Sequence, residues 1–242
     1  MFSGKIEDYI LFEDKEIIVC RKPAGIAVQN ARIGAMDLES SLKNYLAMQD
    51  GGGRRIPYLA VIHRLDQPVE GILVFGKTPE AAKSLSAQIT AGKMEKIYLA
   101  VTYGKQAEAG KKEKVLEDYL KKDGKSNTSS VVNAHTPGAK KARLSYEVLG
   151  EAVDKISGKK KWLLRIHLDT GRHHQIRCQL SSLGMPIKGD LKYGSPRSNP
   201  DGSISLHARH IAFEHPVSHQ AIDVTADYPD NKLWLALGGG NK

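Results

Sequence analysis

The chain has 242 residues and is therefore long enough to bury a sizeable core. Its formal net charge of +9 and its pI near 9.4 favour a polyanionic partner. A basic protein with a solvated face and no nucleic-acid partner explains the same charge. No apolar run reaches membrane-spanning length and no charged-then-apolar leader is present, which predicts a soluble cytoplasmic protein without a membrane partner. The two cysteines, Cys20 and Cys178, lie far apart without metal-ligand spacing, so neither a disulfide nor a zinc site is expected.

Elements in the first half of the chain are predicted from apolar spacing and turn residues. Residues 36–48 repeat apolar side chains on one helical face, which predicts an amphipathic helix. Residues 58–62 and 71–76 are apolar runs that predict two buried strands, with residues 66–68 as the turn between them. Residues 78–80 then supply a threonine cap and a first-turn proline for a second helix.

The second half of the chain predicts further strands and one short helix. Residues 104–141 mix a Lys/Glu cluster with a Gly/Ser/Thr-rich stretch and predict a long excursion from a sheet with a mobile tip. Residues 161–169 alternate apolar and polar side chains, which predicts a half-buried strand. Apolar residues then recur at helical spacing, so Arg177 is expected near the start of a helix. Because strands outnumber helices, we expect one α+β domain over residues 1–242, with a mostly antiparallel sheet and flanking helices.

Asp66 is the most informative residue because it lies at a turn between two apolar strands. Loops held by rigid strands are frequent positions for catalytic side chains. An aspartate followed by Gln-Pro is also an ordinary turn residue. The residues alone therefore leave both interpretations of Asp66 open.

Several motifs, in order along the chain, carry a family resemblance. They are His63–Val74 (HRLDQPVEGILV), Lys96–Ala100 (KIYLA), Leu168–Arg177 (LDTGRHHQIR) and Leu183–Gly194, with weaker matches over Ile10–Gly25 and Leu206–Pro216. Together these segments resemble the RluA family of RNA pseudouridine synthases over nearly the whole chain. The resemblance implies a pseudouridine synthase fold, in which helices and loops flank a bent, mixed sheet and a central cleft.

The resemblance also implies three catalytic residues, Asp66, Tyr98 and Arg177. Asp66 would act as a nucleophile towards the sugar or the base, or as a base at the sugar C2′, and the sequence leaves these roles open. A fixed guanidinium keeps a carboxylate ionised, and the resemblance assigns this role to Arg177, although the pattern alone equally fits a surface arginine on an amphipathic helix. The matching tyrosine of the family stacks on the target uracil, whereas the strand pattern around Tyr98 also fits a core residue.

Substrate contacts are expected around the same motifs. Arg64 lies two residues before Asp66, so an extended segment points both side chains to one side. The resemblance suggests that the planar cation of Arg64 braces the space left by a flipped nucleotide, while a phosphate contact or an ion pair is the alternative. The further predicted substrate contacts are His63, Arg172, Gln175 and Leu206.

The sequence predicts no cofactor and no metal. Adjacent residues in a helix or strand point apart, so His173 and His174 are not expected to share a metal site. A structural or RNA-contacting role is predicted for both histidines. The chain has neither a phosphate-loop pattern nor a dinucleotide fingerprint.

Two features depart from the family pattern. Val69 and Glu70 stand where the family usually has Thr-Ser, which puts in doubt how the catalytic loop is braced. The chain starts almost directly at the catalytic pattern, so no small N-terminal RNA-binding domain is expected and RNA selection is expected to come from the catalytic domain.

The sequence therefore predicts an RNA pseudouridine synthase that flips a uridine of ribosomal or transfer RNA and isomerises it with Asp66. A non-catalytic RNA-binding protein on the same fold is the first alternative, and a hydrolase that uses Asp66 with histidines is the second. Nothing in the sequence demands more than a monomer.

Overall fold

A computed structural model describes residues 2–30, 36–51, 56–104, 113–153, 158, 160–229 and 232–234. The chain divides into two compact units. Unit 1 comprises residues 1–94 and 208–226, and unit 2 comprises residues 95–207 and 227–242. The two units are described separately below.

Unit 1 combines two helices with a set of short strands. Its elements are a 3₁₀ helix at Ile6–Tyr9, β1 (Ile10–Glu13), β2 (Ile17–Lys22), α1 (Leu38–Gln49), β3 (Ala60–Val61), β4 (Glu70–Gly76) and α2 (Pro79–Thr90), followed near the end of the chain by most of β10 (Leu206–Glu214) and by β11 (Ala221–Thr225). The pairings β1–β2, β2–β4, β3–β4 and β10–β11 are antiparallel. β4 lies between β2 and β10 in the strand order.

α2 begins as the sequence predicts, whereas α1 begins two residues later than predicted, at Leu38, with Asp37 as a cap that the sequence analysis did not name. The carboxylate of Asp37 accepts a hydrogen bond from the Ser40 N–H at 2.7 Å, which caps α1. The Thr78 hydroxyl accepts the Ala81 N–H at 3.2 Å, and the proline that follows Thr78 opens α2. The apolar sides of β2, β4, α2 and β10 meet in one core, whose fully buried members include Val74. The two predicted helices are confirmed.

Unit 2 combines five antiparallel strands with a helix of eight residues in the part of the chain that the structure describes. Its elements are β5 (Glu95–Tyr103), β6 (Lys114–Asp123), β7 (Thr128–Val132), β8 (Lys140–Val153), β9 (Lys160–Leu168), α3 (Gln175–Ser182), a 3₁₀ helix at Leu191–Tyr193 and α4 (Lys232–Trp234). The strands follow the order β5–β9–β8–β6–β7, and each of these neighbouring pairs is antiparallel.

Strand β9 is more buried than its sequence pattern predicts. Trp162, Leu163 and Leu164 are all fully buried, so both faces of this part of the strand are covered. Leu163 packs in a cluster with Trp234 from the C-terminal segment. The prediction of a half-buried strand over residues 161–169 was therefore wrong for its first half, because a distant segment covers the second face.

Two other predictions also need correction. Only Ala60 and Val61 of the predicted strand 58–62 pair with β4, and both are half-buried. Pro57 precedes this segment and has no N–H to donate, which favours a short edge strand. The predicted irregular excursion 104–141 is largely regular, because β6 and β7 form a hairpin that continues into β8. Residues 105–112 of that stretch lie outside the described residues.

The α+β class with a mostly antiparallel strand arrangement is confirmed by these pairings. The prediction of a single domain stays a prediction. Among the helices of the described residues, none combines the length and the apolar character needed to span a membrane.

Candidate active site

Asp66 lies in a tight turn between β3 and β4 of unit 1. The Val69 N–H donates to the Asp66 carbonyl at 3.0 Å, which closes the turn. Leu65 and Val69 are buried on either side of the turn, while the Asp66 side chain is half-buried and Arg64 is exposed. The buried neighbours therefore fix the backbone that carries the carboxylate.

Lys22, at the end of β2, supports this turn from inside unit 1. Its side chain is fully buried, and its ammonium group donates to the carbonyls of Pro23 at 2.9 Å, Ile26 at 2.8 Å and Gln67 at 3.1 Å. All three donor positions of the ammonium are therefore used on backbone carbonyls. One of these carbonyls belongs to the residue that follows Asp66, so the buried cation holds the turn directly.

The charge of Lys22 is balanced by nearby acids. Burial lowers the pKa of Lys22 to about 8, and the carboxylates of Asp66 and Glu70 act in the opposite direction by favouring the charged form. Glu70 is thus part of the electrostatic support of the turn. Glu70, which departs from the family pattern, thus adds a second negative charge that favours the charged form of Lys22.

Two more backbone features fix the same turn. The Gly25 N–H donates to the Gln67 carbonyl at 2.8 Å, and the Gln67 side-chain amide donates back to the Gly25 carbonyl at 2.9 Å. Gly71 pairs with Lys22 across β2 and β4 and has φ +134°, and a Cβ at this position would overlap the backbone of Ala208. Only glycine fits here.

Tyr98 lies in the middle of β5 in unit 2. It pairs with Ile166 of β9, which in turn pairs with Tyr146 of β8, so the three side chains share one face of the strands. Tyr98 is 6% exposed. This burial fits the core interpretation of Tyr98, and its predicted stacking on the target uracil stays a prediction.

Arg177 lies in the first turn of α3 and forms a buried ion pair with Asp190. Its Nε donates to one Asp190 oxygen at 2.6 Å and its Nη2 to the other at 2.9 Å, a bidentate arrangement. The guanidinium also lies over the Tyr193 ring, 5.0 Å from the ring centroid. The two side chains of the ion pair are 6% and 1% exposed, so the plane of the guanidinium is fixed inside unit 2.

Gln175 organises the loop that precedes α3. Its Oε1 accepts hydrogen bonds from the Thr170 hydroxyl at 2.8 Å and the Arg172 N–H at 3.0 Å, and its Nε2 donates to the Arg143 carbonyl at 3.0 Å. Gln175 is 3% exposed. These bonds give Gln175 a positioning role in the loop, and its predicted contact with substrate stays a prediction. Arg172 is exposed and donates from Nε to the Lys141 carbonyl at 2.8 Å.

The prediction that His173 and His174 point apart was wrong. Their rings stack with centroids 3.8 Å apart. The cause is the backbone of His174, which is left-handed with φ +52°, so the alternation of a strand or helix does not apply. His173 hydrogen-bonds Ser129 and His174 hydrogen-bonds the Tyr193 hydroxyl, both at 2.9 Å, which supports the predicted structural role.

The remaining predicted contacts occupy structural positions. The Nε2 atom of His63 accepts the Val74 N–H at 3.3 Å, beyond the end of the β3–β4 pairing. Leu206 is 5% exposed at the start of β10. Over the part of the chain that the structure describes, no group of three or more His, Cys, Asp or Glu side chains is arranged to hold a metal ion.

Within unit 1 the structure groups His63, Arg64 and Asp66 on one segment, and within unit 2 it groups Arg172, Gln175 and Arg177 around the start of α3. Sequence reasoning missed three supporting residues, which are Lys22, Asp190 and Tyr193. A signal for Lys22 was available, since a lysine ends an otherwise apolar strand. In unit 2, a signal for Asp190 was its charge directly after Gly189.

Comparison with known proteins identifies relatives over most of the chain. The family model described as RNA pseudouridylate synthase matches residues 16–182. The chain is 33% identical to the ribosomal large subunit pseudouridine synthase D of Nitrosomonas europaea, over 93% of this chain and 63% of that protein. It is 32% identical to the tRNA pseudouridine synthase C of Haemophilus ducreyi, over 90% of this chain and 89% of that protein.

A solved structure shows the same fold. The human RNA pseudouridylate synthase domain-containing protein 1 superposes with a TM-score of 0.72, covering 98% of this chain and 90% of that chain at 21% identity. The family model spans both units, including the Asp66 turn, Tyr98 and Arg177. The chain therefore belongs to the RNA pseudouridylate synthase family.

Proposed function

We propose that this protein converts uridine in RNA to pseudouridine. The observation that carries the proposal is the family match over residues 16–182, which contains an aspartate on a turn held by a buried cation and by backbone hydrogen bonds. The two relatives described above are named for ribosomal RNA and for transfer RNA, so both RNA classes are candidate substrates. The chain spans 63% of the length of the Nitrosomonas protein, so ribosomal RNA enters here as a proposed substrate only.

The reaction is an isomerisation that needs no redox partner. The C1′–N1 bond of uridine breaks, the uracil turns, a C1′–C5 bond forms, C5 loses its proton and N1 gains one. The proposed role of Asp66 is to open this sequence, either as a nucleophile towards the sugar or the base or as a base at C2′. All three roles need a carboxylate held at a fixed position, which the support of the Asp66 turn by Lys22 favours.

Arg177 and Tyr98 are proposed as the other catalytic residues. The family resemblance gives Arg177 the role of keeping Asp66 ionised, and this pairing stays a prediction. The bidentate bonds from Arg177 to Asp190 support it, because a guanidinium with a fixed plane is suited to a fixed partner. Tyr98 is proposed to stack on the target uracil and to assist removal of the C5 proton. Arg64, which is exposed beside the Asp66 turn, is proposed to brace the space left by the flipped nucleotide.

The proposed function is tested with unmodified ribosomal and transfer RNA that carry tritium at uracil C5. Bond formation at C5 must expel this hydrogen, so we expect release of label to water by the wild-type protein and a loss of at least about 10³-fold in Asp66→Asn. RNA binding by Asp66→Asn should persist. No release by either protein, with RNA binding intact, would instead support the non-catalytic RNA-binding alternative. Label release with shortened RNA would support a hydrolase.

The role of Tyr98 is tested by Tyr98→Phe, which keeps the ring and removes the hydroxyl. Assistance in proton transfer typically contributes about 10²-fold or more, so we expect turnover to fall by this factor while the melting temperature changes little. Full turnover by Tyr98→Phe would restrict Tyr98 to stacking. Tyr146→Phe is the matched control, since Tyr146 lies two strands away on the same face.

A further inference from the structure

The net positive charge of the protein belongs entirely to unit 2. Unit 1 contains 13 Lys and Arg against 13 Asp and Glu, so its formal charge is zero. Unit 2 contains 23 Lys and Arg against 14 Asp and Glu, which accounts for the whole +9. A polyanion attracted by this protein is therefore attracted by unit 2.

Part of this surplus is concentrated at the end of the β6–β7 hairpin. We call this surface the hairpin-tip patch, and its residues are Lys121, Lys122, Lys125, Lys141, Arg172 and Lys192. All six are exposed. In β6, Lys121 and Lys122 point to opposite faces of the hairpin, so the patch wraps around the tip.

The hairpin turn is held by its own hydrogen bonds. The Asp123 carboxylate accepts the Lys125 N–H at 2.9 Å and the Ser126 hydroxyl at 2.7 Å, and Ser126 is hydrogen-bonded to Thr128 at 2.6 Å. Asn127 takes the left-handed conformation that closes the turn. The lysines at the tip are thus presented on a defined backbone.

Hydrogen bonds also connect the hairpin to the residues before α3 and to the 3₁₀ helix at Leu191–Tyr193. The Ser129 N–H donates to the Tyr193 hydroxyl at 2.7 Å, and His173 is hydrogen-bonded to Ser129 and to Asn127 at 2.9 and 3.1 Å. The Lys192 ammonium donates to the Asn127 carbonyl at 3.3 Å. Together with the bond from Arg172 to the Lys141 carbonyl, these contacts bring together four segments that carry basic residues, which are the hairpin, β8, the loop before α3 and the 3₁₀ helix at Leu191–Tyr193.

The two acids nearest the patch are already engaged. The Asp123 carboxylate caps the turn, and its pKa is lowered mainly by the hydrogen bonds from Ser126 and the Lys125 N–H. Glu117 is paired with Lys141 at 3.3 Å and with Arg143 at 3.0 Å. The patch therefore keeps a positive surplus.

We propose that the hairpin-tip patch binds the phosphate backbone of the RNA substrate. This inference rests on the proposed function and names a surface for it. Tyr119, 36% exposed, is the cross-strand neighbour of Lys141, and an aromatic ring among lysines adds a stacking surface for a base. A membrane is the less suitable partner, because the turn residues 124–127 are Gly-Lys-Ser-Asn and offer no apolar side chain for insertion.

The experiment compares two triple variants of the full chain with equal loss of charge. The tip variant carries Lys121→Gln, Lys122→Gln and Lys125→Gln. The control variant carries Lys15→Gln, Lys83→Gln and Lys93→Gln, three exposed lysines of unit 1. A third variant, with arginine at the three tip positions, keeps the charge. Affinity is measured by filter binding at several salt concentrations, with unmodified transfer RNA and large-subunit ribosomal RNA transcripts in separate arms.

The tip variant is expected to bind RNA about tenfold or more weakly near physiological salt, and the slope of log K against log salt should fall by about 2 to 3. The control variant and the arginine variant should keep the wild-type slope. Equal losses in the tip and control variants would overturn the proposal, because net charge alone would then explain binding. An unchanged slope in the tip variant would overturn it as well.

Two further readouts separate this proposal from the proposed function. Tritium release by the wild-type protein reports on the proposed function alone. If the wild-type protein releases tritium and the tip variant binds RNA as well as the wild type does, the RNA-binding role of the patch is overturned and the proposed function stands. If RNA binding depends on the tip lysines but no RNA releases tritium, the proposed activity is overturned and the RNA-binding role of the patch stands. Binding of the wild-type protein to phosphatidylserine-containing vesicles, lost in the tip variant while RNA binding persists, would assign the patch to a membrane and overturn the proposal. Melting temperatures of all variants confirm that they fold.

Discussion

The two units of this protein use charge in opposite ways. Unit 1 is formally neutral and uses one buried cation, Lys22, to hold the turn that carries Asp66. Unit 2 carries the whole net charge of +9 and buries one arginine against Asp190, and most of its other cations among the described residues are exposed. A proposed reacting carboxylate and a proposed polyanion-binding surface are thus carried by different units. The net charge that attracts phosphates at long range therefore comes from the unit that does not carry Asp66.

The largest expected effect tests the buried ion pair of unit 2. Asp190→Asn removes the carboxylate that receives two hydrogen bonds from Arg177. Loss of one partner of a buried pair costs about 3 to 5 kcal/mol, and we expect the free energy of unfolding to fall by this amount in urea denaturation. The control is Glu151→Gln, whose pair with Lys160 is exposed and should contribute less than about 1 kcal/mol. Equal losses would mean that unit 2 does not depend on its buried charge.

The second prediction tests the backbone support of unit 1. Gly71→Ala places a Cβ against the backbone of Ala208 at a φ of +134°, so we expect a loss of about 3 kcal/mol in the free energy of unfolding. Gly92→Ala is the matched control, because Gly92 also has positive φ, +67°, but its Cβ would meet open space. That variant should lose about 1 kcal/mol. If both variants lose the same amount, the close approach to Ala208 is not limiting.

The third prediction tests the buried cation of unit 1 through pH. The pKa of Lys22 is lowered from 10.5 to about 8, so between these values the unfolded chain binds more protons than the folded one. The Lys22 contribution to stability is therefore greatest above pH 10.5 and is lost as the pH falls towards 8. The change in the free energy of unfolding is at most about 3 kcal/mol.

Lys22→Met removes this dependence, and Lys83→Met, at an exposed position of α2, is the control. The difference between wild type and Lys22→Met should change between pH 8 and 10.5, while the difference between wild type and Lys83→Met should stay constant. Other groups titrate in this range, but they cancel in the differences. A constant difference for Lys22→Met would show that burial does not lower the pKa of Lys22.

Local elements were predicted well because their signals are local. α1 and α2 begin at Asp37 and Thr78 with the capping hydrogen bonds that such residues favour. The turn at Asp66 was predicted from the Gln-Pro pair that lies between two apolar runs. Arg177 lies in the first turn of α3, as the apolar spacing indicated.

Predictions failed where a distant segment decided the outcome. β9 is covered on its second face by Trp234, which lies far away in the sequence. The stacked rings of His173 and His174 depend on one left-handed residue, for which histidine gives only a weak signal. Residues 114–132 contain a Gly/Ser/Thr-rich stretch, yet they form a regular hairpin, which Ser129 joins to the distant residues His173 and Tyr193.

The sequence by itself determined the two helices of unit 1, the Asp66 turn, the family and the candidate residues, because apolar spacing, turn residues and motifs are properties of neighbouring residues. Only the tertiary structure decided which side chains support the candidate residues. Lys22 becomes a support of the Asp66 turn because β2 and β4 pair in a register that sets it opposite Gly71. Asp190 becomes the partner of Arg177 because the loop after α3 returns to the helix. The physical reason is that a buried charge is stabilised by the groups that surround it in space, and the order of residues along the chain does not specify those groups.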